Sequence, residues 1–363
     1  MDVDEKIRQI EEEIKNTPYN KATQHHVGKL KAKLAKLKEE RIKKSSKRKG
    51  KKFAVKKSGD ATVVLVGYPS VGKSTLLNRI TQANSRVDSY AFTTMDVIPG
   101  MLEYKGAMIQ IFDVPGLIEG ASKGKGKGKE VISVIRNADL ILIMLDPFDK
   151  KQFENIKKEL YETGVRINEE PPKVKIKKLG QGGIKLNFSR KIKELEENTI
   201  LAVLREYGIH NAEITIREDI TLDRFIDALM GNRVYIPCIL ALNKIDLLDE
   251  EEVEKISSEF NSEVIPISAL NGTNVDILVD EIYRKLKFIR VYLKPQRGEV
   301  DYEEPMILKE GSTVRDVCEK LHRDFVRRFS YAQIWGSGKF DGQRVGLDYI
   351  LHDNDVVSIR LKR

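Results

Sequence analysis

The residues with the clearest chemical meaning stand between an apolar run and a helix-forming segment. Gly67-Tyr68-Pro69-Ser70-Val71-Gly72-Lys73-Ser74 has the spacing G-x-x-x-x-G-K-S, with ATVVLVG leading in and Lys73 to Thr81 reading as a helix. Gly67 and Gly72 permit a tight loop whose N–H groups, with the helix N-terminus, surround phosphate oxygens. Lys73 is placed to reach β- and γ-phosphates, and Ser74, next to Thr75, to ligate Mg2+. The loop alone does not separate ATP from GTP. Asn243-Lys244-Ile245-Asp246 does, because it directly follows the apolar run VYIPCILAL. A carboxylate at Asp246 accepts both N–H groups on the guanine edge; buried against adenine it stays unpaired, a penalty of about 1–3 kcal/mol. Asn243 can hydrogen-bond the base and brace the loops, and the Lys244 stem can lie over the ring. Ser268-Ala269-Leu270, after a strand from Glu263 to Ile267, puts a backbone N–H near Ala269 against guanine O6.

Two further segments suit the γ-phosphate. Asp113-Val114-Pro115-Gly116 ends a strand, so Asp113 can hold Mg2+ through water and the Gly116 N–H can sense the phosphate. Upstream, Phe92-Thr93-Thr94 lies in a polar loop where one threonine can close over the metal. Leu117 stands where many such enzymes have a glutamine, and a leucine cannot orient the attacking water. Slow intrinsic turnover follows. The segment Gly120 to Lys129 alternates Gly and Lys, a mobile cationic loop able to order against phosphate or RNA. His25, His26, His210, His322 and His352 lack metal-ligand spacing with the cysteines.

The elements needed to hold these residues are legible. ATVVLVG, a hairpin of MLEYKG and AMIQIFD, DLILIML and VYIPCILAL read as core strands, separated by helices: a mostly parallel α/β sheet covered on both faces. Almost 90 residues between Leu145 and Val234 exceed what the sheet requires, so they read as an inserted subdomain. It carries Lys173 to Lys193, with eight basic residues and no acid. From about Arg290, the short strands IRVYL, MILK and VVSIRLK surround one expected helix, Val314 to Phe325. Trp335, near Tyr331 and Phe329, reads as packing of this tail rather than as a stacking platform.

Charge and length bound the partners. The 363 residues suit two or three domains, and the net charge of +9 sits at the N-terminus. Residues 1–60 hold 19 basic and 9 acidic side chains, the remainder 45 and 46. Helices are expected over 3–15 and about 22–44, followed by Arg41 to Lys57 with ten basic residues and no acid. Helices ahead of so dense a basic run point to RNA or the ribosome through counterion release. Two cysteines, an acidic amphipathic start and no apolar run of about 18–20 residues set the expectation of a cytoplasmic chain without disulfides, membrane segment or DNA specificity.

The order and spacing of the five nucleotide motifs resemble translation-factor-class GTPases of the Obg-related group. Tyr90-Ala91-Phe92-Thr93-Thr94 and the segment Asp113 to Ser122 resemble the developmentally regulated GTP-binding family in particular. That resemblance implies a doubly wound P-loop GTPase domain over 61–289, interrupted at 150–236 by an α+β insert similar to domain 2 of ribosomal protein S5. It implies a basic helical region over 1–60 and, over 290–363, a ubiquitin-like β-grasp unit, the TGS domain. By the family pattern Thr94 is the metal threonine, and Lys73, Thr94 and Gly116 are the catalytic set. GTP hydrolysis with Mg2+, a ribosome- or RNA-directed switch in translation and a family-type regulatory protein are implied likewise. Potassium stimulation is also implied, although Ser70 stands where stimulated relatives often have asparagine. An RNA-binding scaffold with structural GTP, favoured by Leu117, and a P-loop kinase or ATPase, disfavoured by Asp246, are the rival readings.

Overall fold

The computed structural model describes residues 3–46, 59–81, 98–114, 128–149, 151–260, 262–295 and 298–362. Phe92 to Thr94, Gly116, Leu117, most of the Gly-Lys segment and the basic stretch 47–57 lie outside the described residues. In chain order the elements begin with α1 (Val3–Asn16), α2 (Gln24–Ser46), β1 (Ala61–Val66), α3 (Lys73–Thr81), β2 (Ile98–Tyr104) and β3 (Ala107–Asp113). Next come α4 (Gly128–Arg136), β4 (Leu140–Leu145), α5 (Gln152–Glu162), β5 (Val165–Ile167), β6 (Val174–Lys178), β7 (Ile184–Phe188), α6 (Glu197–Glu206), β8 (Ala212–Ile216) and α7 (Leu222–Met230). Then follow β9 (Val234–Ile236), β10 (Cys238–Leu242), α8 (Glu250–Ser258), β11 (Val264–Pro266), α9 (Val275–Lys285) and β12 (Phe288–Leu293). The tail adds β13 (Met306–Lys309), α10 (Val314–Leu321), α11 (Arg323–Arg328), β14 (Phe329–Trp335), β15 (Gln343–Val345) and β16 (Asp355–Leu361). These elements form two compact units.

One unit is organised by a six-stranded sheet in the order β11-β10-β4-β1-β3-β2. Every residue of β1 and β4 is buried, as strands covered on both faces require. Five strands run parallel; β2 alone is antiparallel, joined to β3 by the expected hairpin. Its two-residue loop is Lys105-Gly106, both at positive φ (50° and 82°), the geometry that matches strand twist. The expected strand VYIPCILAL is two strands. Pro237 offers no N–H to a ladder, so β9 leaves to pair with β5 while β10 alone enters the sheet beside β4.

The tail in the same unit is a mixed sheet ordered β13-β12-β16-β14-β15. Ile289, Val291, Val314, Val317, Cys318, Ala332, Ile334 and Val357 form its core on one face. The single helix expected over Val314 to Phe325 is broken: His322 is extended (φ −167°, ψ 135°) and its ring accepts from Asp324 N, capping α11. Two ion pairs tie the tail to the base of the first sheet, Lys320 to Asp60 at 2.9 Å and Lys309 to Asp139 at 2.6 Å.

The second unit joins the N-terminal helices to the insert. Ala32 of α2 shares a core with Ile200, Val203, Leu204, Ile214 and Phe225. Gly28 permits the close approach, since a Cβ there would stand 2.8 Å from Thr199 Cγ2. Gln24 accepts from Glu196 N at 2.9 Å and donates to Glu194 O at 2.6 Å, fixing the start of α6. Arg166 and Asp227, both buried, form a two-bond ion pair at 2.7 and 2.8 Å, with Arg233 adding a third bond at 2.8 Å. The sheet β6-β8-β7 turns Ile176, Ile184, Leu186 and Ile214 inward, while Lys175, Lys177 and Lys185 are exposed.

Candidate nucleotide site

The carboxyl ends of β1, β3, β10 and β11 deliver the singled-out residues to one edge of the sheet, the place where open α/β sheets bind ligands. After β1 the chain turns through Gly67 to Gly72 into α3. A Cβ on Gly67 would lie 2.6 Å from Met144 O, and one on Gly72 (φ 96°) only 2.3 Å from Asn243 Nδ2. Both positions therefore exclude other residues for want of space, and Gly72 also on backbone conformation. Pro69, Ser70 and Thr75 are exposed and Val71 is buried beneath the turn. Ser70 takes a positive φ of 61°.

Lys73 is buried, and its Nζ donates to Gly67 O and Tyr68 O, each at 3.0 Å. Burial lowers its pKa, and the nearby Asp113 carboxylate pulls it partly back. Ser74 Oγ donates to Asp113 Oδ2 at 2.6 Å. Asp113 Oδ1 is buried with no hydrogen-bond partner among the described residues. An orphaned carboxylate oxygen beside a hydroxyl is a hard-oxygen donor set that fits Mg2+.

Asn243 is the centre of the base side. Fully buried, it donates from Nδ2 to Val71 O and accepts at Oδ1 from Ala269 N, both at 2.8 Å. One side chain thus fixes the phosphate loop against the Ser268-Ala269-Leu270 loop. The Ala269 N–H expected at guanine O6 is engaged by Asn243, so a base contact there must share that amide. Asp246 is exposed rather than buried, and its Oδ1 accepts from Ser268 Oγ at 2.5 Å. Ser268 Oγ also receives Asn271 N at 3.1 Å. Lys244, at a positive φ of 68°, extends to Asp146 Oδ2 at 2.6 Å. Leu270 is exposed. Thr94 and Gly116 lie outside the described residues.

Two contributors escape the motif reading. Arg79, six positions after Lys73 on α3, donates from Nε to Ala269 O at 2.7 Å and from Nη2 to Leu270 O. It holds the base-side loop from the phosphate-side helix. Asp146 anchors Lys244, while its own N–H goes to Gln152 Oε1 at 3.1 Å. A carboxylate immediately after the buried strand LILIML was the available signal for Asp146; nothing in the sequence marks Arg79.

Sheet order, loop and base-side clamp together define a P-loop GTPase. The chain matches the family model of the 50S ribosome-binding GTPases over residues 62–178, that of the C-terminal region of the same domain over 181–288, and that of the TGS domain over 289–361. An uncharacterized GTP-binding protein of Methanocaldococcus jannaschii is 55% identical, the match covering 100% of this chain and 94% of that protein. Developmentally-regulated G-protein 3 of Arabidopsis thaliana is 46% identical over 98% of both chains. Developmentally-regulated GTP-binding protein 2 of Homo sapiens is 44% identical over 99% of both. The chain belongs to the developmentally regulated GTP-binding protein family.

Proposed function

We propose that this chain hydrolyses GTP to GDP and phosphate with Mg2+, as a slow switch acting on ribosomes or RNA in the cytoplasm. The observation that carries the reading is Asn243 joining the phosphate loop to the base-side loop, beside an Asp113 oxygen left unpaired. Ser74 and Asp113, the latter through water, would hold Mg2+ together with Thr94, and the metal would supply charge neutralisation at the phosphates. The backbone from Gly67 to Ser74 and the N-terminus of α3 cradle the phosphates, and Lys73 exchanges its bonds to Gly67 O and Tyr68 O for phosphate oxygens. Phosphate oxygens beside Nζ oppose the lowering of its pKa that burial causes.

Asp246 trades its bond from Ser268 for the two guanine N–H groups, and Leu270 closes over the base. The Gly116 amide answers to the γ-phosphate. Leu117 cannot orient water, so turnover is slow until a partner, ribosome or family-type regulatory protein, supplies that position. Potassium belongs to the reading as a stimulant through the family resemblance, against which Ser70 is a poorer cation ligand than the asparagine of stimulated relatives. The basic run 41–57 and the exposed Lys175, Lys177 and Lys185 supply RNA attraction. Among the described residues no helix is long and apolar enough to cross a membrane.

Co-sedimentation with ribosomes in the GDP state and in the state of a non-hydrolysable GTP analogue tests the switch. The reading expects several-fold more chain in the pellet with the analogue. Equal pelleting in both states makes the nucleotide structural and removes the switch.

A further inference from the structure

Arg79 does more than brace two elements. Its guanidinium bridges successive carbonyls of the base-side loop, Nε donating to Ala269 O at 2.7 Å and Nη2 to Leu270 O. In a trans peptide the carbonyl and the N–H of one plane point opposite ways. Two carbonyls held on the α3 side therefore turn the N–H groups of Leu270 and Asn271 to the other side. The Asn271 N–H bears this out: it donates to Ser268 Oγ at 3.1 Å, and that hydroxyl donates to Asp246 Oδ1 at 2.5 Å. The Leu270 N–H shares the side on which Asp246 stands, and it has no partner among the described residues. It is the free donor next to the Ala269 amide that Asn243 occupies. The plane before it is held as well, since Ser268 O accepts from Gly272 N at 2.8 Å. Gly272, at a φ of 89°, leaves room for the guanidinium: a Cβ there would lie 2.8 Å from Arg79 Nη1.

We propose that Arg79 is a positioning residue that sets which base the site accepts, by fixing this edge of the loop as a hydrogen-bond donor. The inference rests on the guanine reading above and assigns one part of it, the reading of position 6, to a residue outside the motifs. Guanine carries an acceptor oxygen at position 6, where adenine carries a donor amino group. The Leu270 N–H pairs with the first and sets donor against donor for the second. If the plane shared by Ala269 O and Leu270 N–H turned over, a carbonyl would replace the amide and the preference at position 6 would fade or reverse. Arg79 prevents the turn with a planar fork of donors that a lysine ammonium does not reproduce. Asp246 reads a different edge of the base, so the two contributions are separable.

Calorimetric titration of the full chain with GDP, inosine diphosphate and ADP separates them. Hypoxanthine keeps the 6-oxygen of guanine and lacks its 2-amino group. Arg79→Ala should shrink the preference for inosine diphosphate over ADP by about tenfold, while the preference for GDP over inosine diphosphate, which reports the 2-amino group at Asp246, stays within about twofold. Arg79 also stands in the last turn of α3, where any cation offsets the helix dipole. Arg79→Lys keeps that charge and loses the fork, so it should recover the unfolding temperature without recovering the parent preference. A merely structural role would weaken all three nucleotides alike. Equal weakening by Arg79→Ala, or full recovery of the preference by Arg79→Lys, overturns the proposal. A parent chain that selects guanine and keeps its position-6 preference in Arg79→Ala leaves the guanine reading standing and this inference wrong. A parent chain that binds ADP as tightly as GDP removes both.

Discussion

Asn243→Ala probes the clamp most sharply. The side chain is buried and makes two bonds of 2.8 Å, one to the phosphate loop at Val71 O and one from Ala269 N. Two neutral hydrogen bonds contribute about 0.5–1.5 kcal/mol each, and a buried N–H left unpaired costs about 1–3 kcal/mol. Water can enter the space vacated, so the total is about 2–4 kcal/mol, or roughly 30- to 1,000-fold at about 1.4 kcal/mol per decade. Part of it appears as lost stability. The rest appears in nucleotide affinity, because both loops must be ordered when ligand binds. Calorimetric titration with GDP should show the dissociation constant rising by at least about tenfold, with a lower unfolding temperature. Gly72→Ala attacks the same clamp from the other side, its Cβ falling 2.3 Å from Asn243 Nδ2. Once Asn243 is alanine that collision is gone, so the double variant should lose less than the sum of the single ones. GDP affinity within twofold of the parent for Asn243→Ala, or strict additivity, would refute the clamp.

Other outcomes follow from the same geometry. Asp113→Asn, which keeps the size and removes the charge beside Ser74, should weaken Mg2+-dependent triphosphate binding by about tenfold or more while leaving metal-free GDP binding nearly unchanged; equal losses with and without Mg2+ would argue against a metal there. Asp246→Asn should erode the preference for GTP over ATP in competition binding, and an unchanged preference would unseat the guanine assignment. Burial pushes the Cys238 thiol up to about 12 and that of Cys318 up to about 11, so neither should react with a thiol reagent at pH 8 until the chain unfolds; rapid labelling of the native chain contradicts that packing. Arg166→Ala leaves Asp227 buried with only Arg233 and should cost about 3–5 kcal/mol in denaturant unfolding of the N-terminal unit, a loss below 1 kcal/mol showing that Arg233 suffices.

The nucleotide motifs were legible because each is fixed by local chemistry: Gly67 and Gly72 by backbone space, Asp113 by ending a buried strand and Asn243 by following one. Tertiary pairing was not. Pro237 marks a break between Ile236 and Cys238, but nothing local says that the two sides serve different sheets. The same holds for the tail helix, where α10 and α11 share an apolar stripe and the break lies in the backbone of His322. The N-terminus read as a basic region of its own because lysine dominates its composition. Its second helix instead places Ala32 and Val27 in buried positions, Ala32 in the core of the insert. Deleting residues 1–57 would therefore damage a core as well as remove charge. Replacing the lysines and arginine of 47–57 by glutamine is the cleaner test of salt-dependent RNA attraction. Asp246 shows the converse limit: its motif is plain, but its exposure and its bond from Ser268 depend on how two distant loops meet.

The edge of the sheet that carries the phosphate loop is expected to turn over GTP. The decisive measurement is inorganic phosphate released under Mg2+, with GTP and ATP as parallel substrates and Lys73→Ala as the control. Slow release from GTP, little from ATP, and none from the variant with either nucleotide is the predicted result. Release from GTP and ATP at the same rate, or undiminished release by Lys73→Ala, would contradict it.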